Sequence, residues 1–289
     1  MRVDPARVDM FEDYLSRHDP GQLRMRAKQF LASRKPLTRA QAIKGIYNIV
    51  RPPGGDRFTL PTTSRPIQAG SVLYRARPLE SISDMKVVAD AWEPPIDRAR
   101  IGRLNMPGEP MLYTAWDPAT ACFEVGVSGP TLLAMSHFVV YQDFKSTEIG
   151  VLEVPDNLSL KAQKKLAVIL ELLHDVFMKP YSDNDPDKYV ATEVLVKDLY
   201  DLPPDMCQAW SYKSVADPSP HALNLCFRPD AGREVLRLAR TDIVEVDPSP
   251  EGHIAGFNFT TLKVLEPDTE SGALMEVIQP WARELSQQL

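Results

Sequence analysis

The sequence predicts an α+β protein in which a small helical N-terminal segment, residues 1–60, precedes a mixed domain over residues 61–289. Three observations carry this expectation. Apolar residues recur at helical spacing through the first fifty positions. From Gly70 onward short β-type runs interleave with helical patterns, which suits a compact domain with a split or partly closed sheet and flanking helices. No repeat with a period of 20–50 residues is present, and the strand runs are too short and unevenly spaced for a βα barrel.

The N-terminal block reads as three helices. Asp4-Pro5 has the pattern of an N-cap followed by a first-position proline, and Val8, Phe11 and Leu15 follow at helical spacing. A second helix is expected from Gln22 to Ser33 and places Leu23, Ala27, Phe30 and Leu31 together, and a third, capped by Thr38, carries Ala42, Ile43, Ile46, Tyr47 and Val50. Pro52-Pro53-Gly54-Gly55 ends the block, so a boundary falls near residues 51–68. Beyond it, strands are expected at Ser71–Ala76, Met111–Ala115, His137–Tyr141, Ile149–Val154, Leu223–Phe227 and Ile243–Val246. Helices are expected at Pro118–Val127, Leu160–Phe177 and Lys188–Tyr200, the first opened by Asp117-Pro118.

Composition narrows the function classes. The chain has 289 residues, with 33 Lys+Arg against 39 Asp+Glu and a formal charge of −6, which disfavours sequence-blind binding to nucleic acid. The first sixty residues carry 12 basic against 6 acidic side chains, a net +6, so the remaining 229 sum to −12. A solvated basic face on a helical cap or oligomerisation arm is the plain reading of that asymmetry, and a nucleic-acid or acidic-partner contact is the minority one. Cys122, Cys207 and Cys226 form neither a disulfide framework nor a zinc pattern, which fits a reducing, cytoplasmic location. The acid-bearing N-terminus lacks the apolar core of a signal peptide, and the apolar-rich run Leu166–Phe177 carries Glu171, His174 and Asp175 and is too short to span a bilayer.

No Walker loop, dinucleotide-binding glycine fingerprint, GxSxG elbow, HExxH or CxxC occurs, and the five histidines are scattered without ligand-like pairing, so no metal is expected. What remains is a mixed set of residues. Tyr74-Arg75-Ala76-Arg77 lies at the end of the first strand after the linker, and Gly102-Arg103-Leu104-Asn105-Met106-Pro107-Gly108 is a loop framed by glycine and proline. Tyr113 sits near a strand end, Glu124 falls about two turns into the helix that Asp117 opens, and Trp210–Val215 and Asn224–Phe227 follow much later. Glu124 stands among Ala121, Cys122, Phe123 and Val125, where a carboxylate must be paired, bound to a ligand or turned out of the core. Each residue alone has an ordinary structural explanation: a solvated arginine, a core tyrosine.

As a set they resemble the RES domain family, named for Arg, Glu and Ser. The run GRLNMPGEPMLYTAWDPATACFEV is similar almost throughout to that family's central motif, and SYKSVADPSPHALNLCF resembles its later Tyr-x-Ser…Asn-Leu segment. The resemblance covers about residues 70–230 and leaves an apparent insertion at about 130–185 and a C-terminal extension. It implies a fold like that of ADP-ribosyltransferases, with a split mixed sheet, and an NAD⁺-consuming enzyme that cleaves the nicotinamide–ribose bond by phosphorolysis or hydrolysis, as the toxin of a toxin–antitoxin pair. Transfer of ADP-ribose to a protein target is the alternative enzyme, and a catalytically silent binding module the alternative outside enzymes.

Carried over by position, the resemblance assigns the first-strand arginine to Arg75, with Arg77 as rival, the loop arginine to Arg103, the tyrosine to Tyr113, the glutamate to Glu124 and the serine to Ser214, with Ser211 as rival. Asn224 joins the NAD⁺-binding set. NAD⁺ is then substrate rather than resident cofactor, phosphate a candidate co-substrate, and a cognate antitoxin or a second copy of the chain the candidate partner. In physical terms, Arg75 and Arg103 suit bidentate contact with pyrophosphate, Tyr113 offers a face for the nicotinamide ring, and Glu124 can bind ribose hydroxyls and oppose the positive charge that grows there. Ser214 suits a phosphate or the nicotinamide amide.

Overall fold

The computed structural model describes residues 5–32, 38–50, 62–152, 157–177, 186–199, 201–249 and 256–277. In chain order the elements are α1 (Pro5–Ser16), α2 (Pro20–Leu31), α3 (Arg39–Val50), β1 (Thr62–Ile67), β2 (Val72–Pro78), β3 (Leu112–Ala115), α4 (Pro118–Glu124), β4 (Thr131–Val140), β5 (Phe144–Leu152), α5 (Leu160–Phe177), α6 (Pro186–Val194), β6 (Ala209–Lys213), β7 (Leu223–Phe227), α7 (Ala231–Val235), β8 (Leu236–Pro248), β9 (Phe257–Pro267) and β10 (Leu274–Glu276). Short 3-10 turns at Ile82–Asp84, Val88–Ala91 and Ile96–Arg98 follow β2, and a π-helical turn at Leu195–Leu199 continues α6. The chain divides into two compact units, one of Met1–Ser64, Arg100–Glu109 and Thr147–Pro203, the other of Arg65–Ala99, Pro110–Ser146 and Pro204–Leu289.

The first unit is mainly helical. Asp19 caps α2 by accepting Gln22 N–H at 2.9 Å, with Pro20 in the first turn, so the helix starts two residues before the expected Gln22. Thr38 and Gln41 form a reciprocal capping box at α3: Gln41 Oε1 accepts Thr38 N–H at 2.9 Å and Thr38 Oγ1 accepts Gln41 N–H at 3.3 Å. The expected Asp4 cap lies outside the described residues. Leu15, Leu23, Ile46, Ile49, Leu166, Ile169 and Phe177 are buried in this unit. Among them sits Lys165, 3% exposed, whose Nζ donates to Leu15 O at 2.7 Å and Ser16 O at 3.1 Å. A buried ammonium thus satisfies the last carbonyls of α1, where the helix dipole favours a cation.

Among the described residues the strands join one ten-stranded sheet in the order β1-β5-β6-β7-β3-β2-β4-β8-β9-β10. The division between units passes through β1 and β5. The pairings from β6 to β10 are antiparallel. This mixed architecture is compatible with an α+β class. The short strand runs expected from the sequence are corrected in length: β8 has 13 residues, β9 has 11 and β4 has 10. β4 lies in the stretch read as an insertion, yet it pairs on both edges, with β2 and β8.

Register fixes which side chains share a face, because directly paired residues of antiparallel strands point the same way and neighbours along a strand point oppositely. Asn224 pairs with Ala115, Ala115 with Tyr74 and Tyr74 with His137, so these four share one face. α4 covers it: Ala119, Ala121 and Cys122 pack with Ala115, Leu133, Met135 and Phe257, with Tyr74 and Ala76 at the margin. The opposite face presents Leu73, Leu112, Phe138 and Phe227 to the turns after β2, whose Met85, Ala91 and Trp92 complete the second core. Trp92 meets Phe138 edge-on at 4.8 Å between ring centroids.

His18, 3% exposed in the first unit, stands edge-on to Tyr14 at 4.9 Å. Burial and the nearby cations Lys165 and Arg26 hold its imidazole below the ordinary value of 6.5. The unfolded chain therefore takes up a proton there before the folded one, so folding stability is full above about pH 6.5 and falls as the pH drops below it. Thermal unfolding at pH 8 and pH 5.5 should show a loss on acidification that is smaller in His18→Phe than in wild type; an equal loss would assign the acid sensitivity elsewhere.

Candidate active site

β3 and α4 together place Glu124. Trp116 N–H donates to Leu223 O at 3.1 Å, extending β3 by one residue against β7. Asp117 then caps α4, its Oδ1 accepting Thr120 N–H at 2.8 Å, with Pro118 in the first turn. Seven residues later the helix closes in a Schellman arrangement: Val127 N–H bonds Cys122 O at 3.1 Å and Gly126 N–H bonds Phe123 O at 3.0 Å, with Gly126 at φ +74°. Glu124 is the last helical residue. Its charge there opposes the helix dipole, so its setting has to come from side chains outside the helix.

Two buried side chains supply it. Glu124 Oε1 accepts Ser214 Oγ–H at 2.5 Å and Asn224 Nδ2–H at 2.6 Å. Ser214 and Asn224 are 3% and 2% exposed, whereas Glu124 is an exposed residue. Among the described residues Oε2 takes no hydrogen bond, so one carboxylate oxygen is clamped and the other is presented. The clamp is itself positioned by the sheet. Asn224 is held near the start of β7, paired with Ala115 on one side and Tyr212 on the other, and Ser214 follows β6 with its N–H bonded to Ala222 O at 2.9 Å.

The other sequence-predicted residues fall in different places. Tyr113 pairs with Cys226 and so shares the Asn224 face, two residues before Ala115 on β3. Ser211 points to the opposite face, where its Oγ accepts from Ser146 Oγ at 3.1 Å, so Ser214 is the serine that meets Glu124. Arg75 and Arg77 also lie on the face away from Asn224, one residue out of phase with Tyr74. Arg75 donates to Ala91 O at 3.3 Å and Arg77 to Asp90 O at 3.1 Å. Burial, then the like charge of Arg77, push Arg75 down to about 10, with Glu93 pulling the other way. It stays protonated at neutral pH.

Arg103 belongs to the other compact unit. It donates to Phe177 O at 2.5 Å with its guanidinium 5.9 Å from the Phe177 ring centroid. Asn105 pins the loop around it, donating to Arg100 O, Met106 O and Glu109 O at 2.8–3.1 Å. The carboxylate, serine and asparagine are therefore gathered, the tyrosine is on their face, and the two first-strand arginines are not with them. Cys122, buried in α4, is pushed up to about 12 by burial and then Asp117, which removes it as a nucleophile.

Sequence reasoning missed Asp217 and Thr120. Thr120 Oγ1 lies 2.6 Å from both Asp117 Oδ2 and Asp217 Oδ2, and Asp217 N–H donates to Ser214 Oγ at 3.0 Å. The spacing of Thr120 and Glu124, four apart and so on one helix face, is the signal that was available.

The site is thus a clamped, outward-facing carboxylate on a sheet-and-helix frame. The RES domain profile matches residues 72–247, more than half of the chain. The protein belongs to the RES domain family. Neither the curated proteins nor the solved structures contain a match. No helix among the described residues is long and apolar enough to cross a membrane.

The left-handed Gly126 sets where α4 ends and hence where Glu124 points. A Cβ there meets nothing within 4 Å, so an alanine is opposed by backbone conformation alone. Gly126→Ala should destabilise the protein by about 1–2 kcal/mol in urea unfolding, whereas Gly129→Ala, equally open and without a positive φ, should stay within about 0.5 kcal/mol. Equal effects at both positions would remove the special role of Gly126.

Proposed function

We propose that the protein consumes NAD⁺ by cleaving the bond between nicotinamide and ribose. The RES family is associated with enzymes acting on NAD⁺, and the observation that carries the reading here is the exposed Glu124 carboxylate whose Oε1 is gripped by two buried donors. In NAD⁺ the nicotinamide nitrogen is cationic, so when the C1–N bond breaks the electron pair returns to that nitrogen and neutral nicotinamide leaves. Positive charge then develops on the ribose carbon and its ring oxygen. A carboxylate already oriented toward that place stabilises it without reorganising, and such preorganised contacts are typically worth about 10²–10³ in rate.

The remaining residues suit supporting roles. Ser214 and Asn224 hold Oε1 so that Oε2 faces the ribose, and Tyr113 offers its ring to nicotinamide from the same sheet face. Arg75 and Arg77 serve the turns behind the sheet in this arrangement. The incoming oxygen forms the new bond to C1 and sets the product. Water loses a proton and gives ADP-ribose; phosphate gives ADP-ribose 1″-phosphate. Action as the toxin of a toxin–antitoxin pair, and a sheet of the ADP-ribosyltransferase type, belong to the same proposal.

Incubation of purified protein with NAD⁺, with and without phosphate, followed by chromatography, tests it. Nicotinamide should appear, and Glu124→Gln should slow its release about 100-fold. Asn224→Ala should slow it about 10-fold or more, since it frees the clamped oxygen. NAD⁺ that survives prolonged incubation, alone and with cell protein present as acceptor, would end this reading. Turnover unchanged in Glu124→Gln would keep the activity and move the site.

A further inference from the structure

We infer that Asp217 is a positioning residue for Glu124, acting through Thr120 and Ser214. The inference rests on Glu124 being the working carboxylate. Ser214 Oγ has one hydrogen. Because it accepts the N–H of Asp217 at 3.0 Å, that hydrogen is left to point at Glu124 Oε1, 2.5 Å away. The side chain of Asp217 fixes the turn that supplies this N–H. Its Oδ1 accepts Ser219 N–H at 2.8 Å, and its Oδ2 lies 2.6 Å from Thr120 Oγ1.

The geometry closes on itself. Thr120 and Glu124, one turn apart on α4, meet the segment 214–217 at two points: Thr120 at Asp217 and Glu124 at Ser214. The bond from Asp217 N–H to Ser214 Oγ joins the two points. Rotation of α4 about its axis, or a slide of the β6–β7 connection, would break both contacts at once. Two such contacts define an orientation where a single one defines only a distance, and the presented oxygen of Glu124 needs orientation.

The energetics argue that this is not ordinary packing. Asp217 is 7% exposed and Thr120 is fully buried, and among the described residues no cation pairs with Asp217. Thr120 Oγ1 also lies 2.6 Å from Asp117 Oδ2, so its single hydrogen serves one carboxyl group at a time. A buried carboxylate held only by a shared hydroxyl and a backbone N–H is a costly way to fasten a loop. A Val–Leu contact would fasten it more strongly but would not turn the Ser214 hydrogen toward Glu124.

The test compares Thr120→Val, Thr120→Ser and Asp217→Asn by steady-state nicotinamide release, with circular dichroism to check folding. Thr120→Val and Asp217→Asn should lower kcat about 10- to 100-fold, the scale of a small misplacement of a catalytic group. KM for NAD⁺ should change less than about threefold, and Thr120→Ser, which keeps the hydroxyl, should restore kcat to within about threefold of wild type. Folded Thr120→Val with wild-type kcat overturns the inference. So does Thr120→Ser as impaired as Thr120→Val, which would mean the methyl matters and not the hydroxyl.

Should Thr120→Val fail to fold, the near-isosteric Asp217→Asn decides alone. Should wild type release no nicotinamide, the proposed function falls, and the clasp is judged by thermal unfolding. Tm shifts of Thr120→Val and Asp217→Asn that are non-additive in the double variant sustain it, and additive shifts overturn it.

Discussion

The geometry of this protein turns on one oxygen atom. Glu124 Oε1 receives two short hydrogen bonds from side chains that water does not reach, one on the β7 strand and one just past β6. Neither donor can relax toward solvent, and the carboxylate cannot leave without stranding both, a loss of about 1–3 kcal/mol for each buried polar group left unpaired. β3 lies between β7 and β2 and hands the chain directly to α4, so the distance from Asn224 to the helix is set by sheet hydrogen bonds and not by a flexible loop. A site built this way is stiff because each part is fixed by backbone pairing on at least one side.

Much of this was legible in the residues. Helix starts carry their own chemistry, so Asp117-Pro118 and Thr38 mark true helix starts. The Asp19-Pro20 pair has the same signature, and it starts α2 two residues before Gln22. Strands with an apolar face on each side, such as Leu223–Phe227, stand out as apolar runs. The long strands do not. In β8 Arg237 and Glu245 are exposed between buried neighbours, Ala239 and Arg240 are exposed together, and only its centre, Ile243–Val246, looks like a strand. β9, with Thr260, Thr261 and Lys263, pairs along β8 for most of its length without an apolar run to betray it.

The candidate site shows the same division. Glu124, Ser214 and Asn224 are legible in the sequence as residue types, but their meeting depends on β6, β7 and β3 lying side by side, and a strand order is not written in any local pattern. The facing of Arg75 depends on even less, a single residue of register: shifted by one, the arginine and Tyr74 would exchange faces. The spacing could say that Arg75 ends a strand. It could not say which side of the sheet the guanidinium would reach.

That single-residue phase has a chemical consequence. The sheet separates charge, with Arg75 and Arg77 behind it among the carbonyls of Asp90 and Ala91, and Glu124 in front. A carboxylate with a guanidinium beside it would be neutralised as a pair and would offer little to a passing cation. With Arg75 and Arg77 on the far face and, among the described residues, only a hydroxyl and an amide bonded to it, both neutral donors, Glu124 is oriented without being paired to a guanidinium. Hydrogen bonding to neutral groups restrains such an anion without cancelling it. For the proposed cleavage of NAD⁺, the group served by that arrangement is the developing cation, its charge transient and spread over a carbon and an oxygen, too diffuse for a directional hydrogen bond but responsive to a nearby charge. Among the described residues no cation pairs with Glu124, and that, as much as the two donors that hold it, is what the proposed oxocarbenium-like transition state would draw on.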